Sequence, residues 1–154
     1  MSSPDRSVLP VAALIASALL AAAAAGCTLT AGSAAPETPA SVADRLVGRE
    51  WVVEDIDRRG IVDRSRATLV FEPAGQAGGR ASCNAWTGRW TLDGERLALS
   101  GIAVTSRACV EALSLQEARF LATLQRVRRI DFVGPDGALR LSADGGGSIL
   151  ARRE

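Results

Sequence analysis

Turn-forming stretches recur so often from Glu50 onward that most of the chain can only form short strands. Glu72 to Gly79 reads EPAGQAGG, Asp93-Gly94 follows, Gly134 to Gly137 reads GPDG, and Asp144 to Gly147 reads DGGG. Asp-Gly between apolar runs is a strong hairpin signal, because both central residues of a type I′ turn need positive φ. Between these breaks lie the expected strands Glu50 to Asp57, Ala67 to Glu72, Arg80 to Cys83, Gly88 to Leu92, Arg96 to Ser100, Arg129 to Val133, Ala138 to Ser142 and Ser148 to Arg152. Trp51 and Val53 alternate with Val52 and Glu54; Leu97 and Leu99 alternate with Ala98 and Ser100; Leu139 and Leu141 alternate with Arg140 and Ser142. Period two with one apolar face is the pattern of an antiparallel sheet that is wet on one side.

One segment has the helical period. Ser114-Leu115-Gln116-Glu117 reads as a capping box, with Leu113 placed to staple onto Ala118. Phe120, Leu121, Leu124 and Val127 then fall on one helical face. Arg126, Arg128 and Arg129 gather where the helix dipole favours cations, which explains them without an anionic ligand. The expected fold is α+β: a curved, barrel-like antiparallel sheet of seven or eight short strands. One main helix near residues 114–128 covers its open side.

The start of the chain has a different character. Val8 to Ala25 is almost unbroken apolar sequence and runs through Ala24-Ala25-Gly26 to Cys27. Small residues after an apolar stretch mark a signal peptide. A membrane span is the competing reading, since the run approaches the ~18-residue threshold. Pro10, the dominance of alanine and the lack of a basic stop-transfer cluster argue for the signal peptide. Ala-Ala-Gly-Cys resembles a bacterial lipobox, in which Cys27 would become the lipidated N-terminus; soluble secretion with cleavage elsewhere is the alternative. Thr28, where an Asp would retain an inner-membrane lipoprotein by resemblance to enterobacterial sorting, favours the outer membrane. Thr28 to Ser41 is small, polar and proline-bearing, and reads as a tether. The expected organisation is signal peptide over 1–26, flexible tether over 27–42 and one folded domain over 43–154.

Composition then excludes whole chemistries. There is no His and no Tyr, and every one of the 18 basic residues is Arg. Imidazole bases, lysine Schiff bases and histidine metal ligands are therefore ruled out. A formal net charge of +1 is not the basic footprint that nucleic acid requires. Glu54, Asp55 and Asp57 are close in sequence, but on a strand they divide between two faces and do not form a paired-carboxylate site. No cofactor is expected, and no enzymatic activity.

The chain has three cysteines. With Cys27 lipidated, Cys83 and Cys109 remain, and an even pair in an oxidising compartment is most simply a disulfide. Closing that loop stabilises by about 3.5 kcal/mol on the chain-entropy relation. Free thiols and a metal-bound pair are the alternatives, the second made poor by the absence of further nitrogen or sulfur ligands. Asn84 beside Cys83 suits a turn. Trp51 and Trp90 read as core. Trp86, between Asn84 and Thr87-Gly88 in an expected loop, is a candidate exposed anchor, so Trp86 and Asn84 together are the candidate binding surface.

These residues resemble the META domain, also called the HslJ-like domain, of bacterial envelope proteins. The resemblance rests on LVGREWVVEDI (Leu46 to Ile56), TLVFE (Thr68 to Glu72), GGRASCNAWTGRWTLDGERLAL (Gly78 to Leu99), the Ala-Cys segment and helix from Ile102 to Val127, and the closing hairpin Gly137 to Arg153. Ser82 stands where a Gly precedes the family's Cys-Asn pair, and Arg107 where a Met is common. The resemblance implies a compact curved sheet with a packed helix. It also implies export, often as a lipoprotein, and an association with heat stress, antibiotic tolerance and, in some members, motility or virulence. It supplies no catalytic residues.

The functional expectation is a membrane-tethered envelope domain with a non-catalytic binding or structural role. It would hold to the membrane through its lipid and contact an envelope protein or cell-wall partner. The alternatives are a small barrel carrier or secreted protease inhibitor and, less favoured, a thiol- or carboxylate-based enzyme. Gly48-Arg49-Glu50-Trp51 is similar to the Gly-x-Trp opening of lipocalins, with one residue too many. The chain is also short for an eight-stranded ligand barrel.

Overall fold

The computed structural model describes residues 40–154; the apolar run, Cys27 and most of the expected tether lie outside them. The elements are α1 (Val42–Leu46), β1 (Glu50–Ile56), β2 (Thr68–Phe71), β3 (Gln76–Arg80), β4 (Ala85–Asp93), β5 (Arg96–Val104), α2 (Glu111–Gln125), β6 (Val127–Val133), β7 (Ala138–Ala143) and β8 (Ser148–Arg153). The strands pair in sequence order, all antiparallel, and β8 returns to β1 from Trp51↔Arg153 to Ile56↔Ile149. The curved sheet is therefore a closed eight-stranded barrel.

Alternation places the core. Trp51, Val53, Leu69, Phe71, Leu97, Leu139, Leu141, Ile149 and Ala151 are buried. A bulge between Val53 and Asp55 advances the phase of β1, so that Ile56 also turns inward. Eight strands enclose a space that side chains just fill; each large apolar side chain buried there contributes about 1.5–3 kcal/mol. The indole N–H groups are satisfied inside: Trp51 Nε1 donates to the Leu46 carbonyl at 3.1 Å and Trp86 Nε1 to the Thr68 carbonyl at 3.1 Å.

Both ends of the barrel are covered. α1 sits where β1 begins, with Leu46 fully buried and the Arg45 guanidinium 3.8 Å over the Phe132 ring. Its cap is a true capping box: Ser41 Oγ accepts from the Asp44 N–H, and Asp44 accepts from the Ser41 N–H. The first described element is thus capped at Ser41, within the stretch expected as tether. α2 lies at the opposite end, where odd-numbered strands finish and even-numbered ones begin. Thr123 Oγ1 donates to Asp57 at 2.9 Å just past β1, and the buried Gln116 donates to Ser82 at 3.0 Å and to Ser65 at 2.9 Å. Phe120 meets Trp86 edge-on at 6.2 Å.

Two expected elements are displaced. The main helix runs over Glu111–Gln125, not 114–128, and its N-cap is Val110, which has no side-chain cap bond. Ser114 lies inside the helix, and Glu117, the expected reciprocal partner, is drawn away to Asn84. At the far end the helix closes on cations as expected for two of three arginines. Arg126 donates to the Ala122 carbonyl and Arg128 to the Gln125 and Val127 carbonyls; Arg129 instead pairs with Glu95. The third strand is Gln76–Arg80 and not Arg80 to Cys83. Its glycines are needed for close approach: a Cβ on Gly79 would stand 2.3 Å from the Thr68 carbonyl oxygen, and one on Gly78 3.0 Å from that of Trp86.

Candidate functional site

The β3–β4 turn, Ser82 to Asn84, brings together the residues the sequence singled out. Cys83 is bonded to Cys109, with Cα atoms 6.2 Å apart. The bond ties this turn to the exposed strap between β5 and α2. Asn84 does the same with hydrogen bonds. Its Oδ1 accepts from the Arg107 N–H at 3.0 Å and from Thr105 Oγ1 at 3.2 Å. Its Nδ2 donates to Glu117 Oε1 at 2.9 Å, while its own backbone N–H donates to Glu117 Oε2 at 2.7 Å. One buried asparagine thus ties turn, strap and helix into a single node. Glu117 is the residue that sequence reasoning put in another role; the Ser-x-x-Glu spacing signalled a cap and hid a long-range partner.

The candidate binding surface of Trp86 and Asn84 is not at the surface. Trp86 is 1 % exposed and Asn84 5 %. Trp86 belongs to β4, not to a loop, because β4 starts at Ala85, immediately after Asn84. The alternation of β4 then turns Trp86 inward. Trp51 is core as expected, and Trp90 is half-buried, edge-on to Phe71 at 5.7 Å.

The neighbouring carboxylates are committed to structure. Asp55 accepts from the N–H groups of Arg58 and Gly60, both at 2.7 Å. Asp57 accepts from the Ser148 N–H at 2.9 Å as well as from Thr123. Glu54 pairs with Arg152 at 2.7 Å, and Arg152 also reaches Asp136. Across β1 and β8, Arg66 bridges Glu50 and Glu154; its hydrogen bond holds the Glu154 carboxyl below its usual range. The Ser41 hydroxyl does the same for Asp44. Among the described residues no cluster of three or more Cys, Asp or Glu could hold a metal ion, and no helix is long and apolar enough to cross a membrane.

The surface has its own features at the seam between β5 and β6, which share one register pair, Arg96↔Arg129. A cleft of about 820 Å³ opens there, with Leu92, Leu97 and Ala98 beside the ion pairs Arg129–Glu95 and Arg128–Asp144. At the other end of β5, at the cap of the helix that follows and within that helix, Val104, Val110 and Leu115 respectively are large apolar side chains left exposed. Nothing in the sequence marked this region, because the missing pairing is long-range.

Comparison with known proteins places this architecture. Residues 44–154 match the family model of the META domain. No curated protein matches the chain. Among solved structures, the chain is similar to a protein from Burkholderia xenovorans determined by NMR, at 20% identity and a TM-score of 0.63 over 76% of this chain and 92% of that one. It is also similar to a DUF4847 family protein from Bacteroides vulgatus, at 16% identity and a TM-score of 0.51, covering 73% of this chain and 96% of the other. These likenesses show the fold.

Proposed function

The chain belongs to the META domain family, and from that premise we propose that it is a lipid-anchored domain of the bacterial cell envelope with a non-catalytic binding or structural role. The observation that carries this reading is the Cys83–Cys109 disulfide in a chain whose apolar leader runs to Cys27. Disulfides persist in oxidising compartments, and a leader ending in a lipobox-like cysteine delivers a chain to one. Cys27 carries the lipid, and a diacylglyceryl group with a further acyl chain holds firmly where a single chain would not. The outer membrane is the favoured site, and envelope stress or antibiotic tolerance the favoured setting.

The saturation of the Asn84–Glu117 node supports a role without turnover. A disulfide offers no thiolate, and Glu117 already accepts two hydrogen bonds. Side chains filling the barrel favour contacts made by its outside over carriage of a ligand within. The test compares the native chain with Cys27→Ser by membrane fractionation. The native chain stays in the membrane pellet after high-salt washing, and the variant is released as soluble protein. If both remain equally in the membrane, the lipid anchor is wrong.

A further inference from the structure

We propose that the flank of β5 turned away from β4 accepts an extended acidic peptide segment of a partner protein as an added strand; this rests on the reading of the chain as a binding module. On its β4 side, β5 is paired from Trp86↔Val104 to Asp93↔Arg96. On its other side, pairing stops at Arg96↔Arg129. Past that bridge, Leu99 to Val104 have no register partner in β6. Outward backbone N–H and C=O groups along such an edge are a template for another chain.

Edges that must stay unpaired are usually blunted by charge or proline. Leu97 to Val104 reads LALSGIAV and has neither. Its one irregularity is a bulge opposite Thr87 and Arg89, where Gly101 at φ 60° bends the strand without charging it. A recess for side chains lies near one end, the cleft beside Leu97 and Ala98.

Charge selects the occupant. Arg89 beside Ser100, Arg96 at the start of the flank and Arg107 beyond its end are exposed and form no ion pair among the described residues. Glu95 and Asp144 are neutralised by Arg129 and Arg128, leaving Asp93 across from Arg96 and Glu111 at the helix start as the nearby acids. A second copy pairing antiparallel would set the Arg96 end of one flank against the Arg107 end of the other, bringing like charges together. The chain's own segment before the fold, residues 28–39, has one carboxylate and two prolines, which cannot donate to a ladder.

The test is amide hydrogen exchange of the processed chain, alone and with the capped peptide Glu-Val-Thr-Val-Ser-Val-Thr-Val-Glu. Alone, the outward amides between Leu99 and Val104 exchange much faster than those of β7. With the peptide they slow, and the Arg96→Glu/Arg107→Glu double variant, both exposed positions, weakens binding by roughly tenfold while leaving the melting curve in place. Ile102→Pro, which removes an N–H from this strand, abolishes the protection. Slow exchange in the free chain, no binding at millimolar peptide, or binding indifferent to the charge reversals would overturn the proposal. Concentration-dependent protection without peptide would assign the flank to a second copy. None of these outcomes bears on the Cys27 fractionation, so the two readings fail separately.

Discussion

Replacing both Cys83 and Cys109 with serine should cost the domain about 3.5 kcal/mol. The figure comes from the 26-residue separation of the two cysteines and the loss of loop-closure entropy from the unfolded chain. Little is added in the folded state. Both cysteines are only half-buried, so the hydroxyls stay solvated, and the lost Asn84–Cys109 contact at 3.7 Å is weak. The Asn84–Glu117 node remains and keeps the strap in place. For a domain of this size about 3.5 kcal/mol lowers Tm by roughly 15 °C, a large part of the ~5–15 kcal/mol that domains have. Urea denaturation is the assay. The midpoint should fall and the m-value rise, since an unlinked chain exposes more surface when it unfolds, while near-UV circular dichroism stays native. A loss below about 1 kcal/mol, or an unchanged m-value, would show that the bond does not act as a staple.

Three further outcomes follow from the same geometry. Trp86→Ala should cost about 3–5 kcal/mol, read by chemical denaturation, because it empties the contact with Phe120 and orphans the Thr68 carbonyl; a loss under 1 kcal/mol would put Trp86 outside the core. Gly79→Ala should destabilise at least as severely, or prevent folding, since its Cβ would collide with the Thr68 backbone at φ 147°; a native-like melting temperature would refute the close approach of β2 and β3. The Asp44 carboxyl is held low by its Ser41 hydrogen bonds. Its contribution is therefore present above the unfolded carboxylate pKa and lost as pH falls through the lower folded value. Ser41→Ala should lower Tm at neutral pH, and the difference from the native chain should shrink in the acid limb; a pH-independent difference would contradict the cap.

Local patterns carried most of the fold. The alternation in Glu50 to Ile56, Arg96 to Leu99 and Ala138 to Ser142 marked real strands, and the Asp93-Gly94 and Asp144 to Gly147 turns marked real hairpins. What failed was decided by distant partners. Gln76 to Gly79 looked like a turn because its glycines serve the tight approach of three strands, not chain reversal. Ser114 to Glu117 looked like a cap because the sequence does not show that Asn84 will claim Glu117. The true cap signal at Ser41-Val42-Ala43-Asp44 was hidden by being read as the end of the tether. The disulfide was legible from the cysteine count, whereas the burial of Trp86 was not, because Asn84 and Gly88 on either side suggested a loop. Closure of β8 onto β1 and the single-pair seam at β5–β6 have no local signature at all.

The most direct test of the tethered, stapled domain is the mass of the protein taken from its native membrane fraction, intact and as peptides prepared without reduction. An N-terminal Cys27 bearing acyl chains, with the Cys83 and Cys109 peptides travelling together until a reductant separates them, is the result predicted. An unacylated chain cut elsewhere would remove the anchor, and free thiols at Cys83 and Cys109 would contradict the staple and return a thiol activity to consideration.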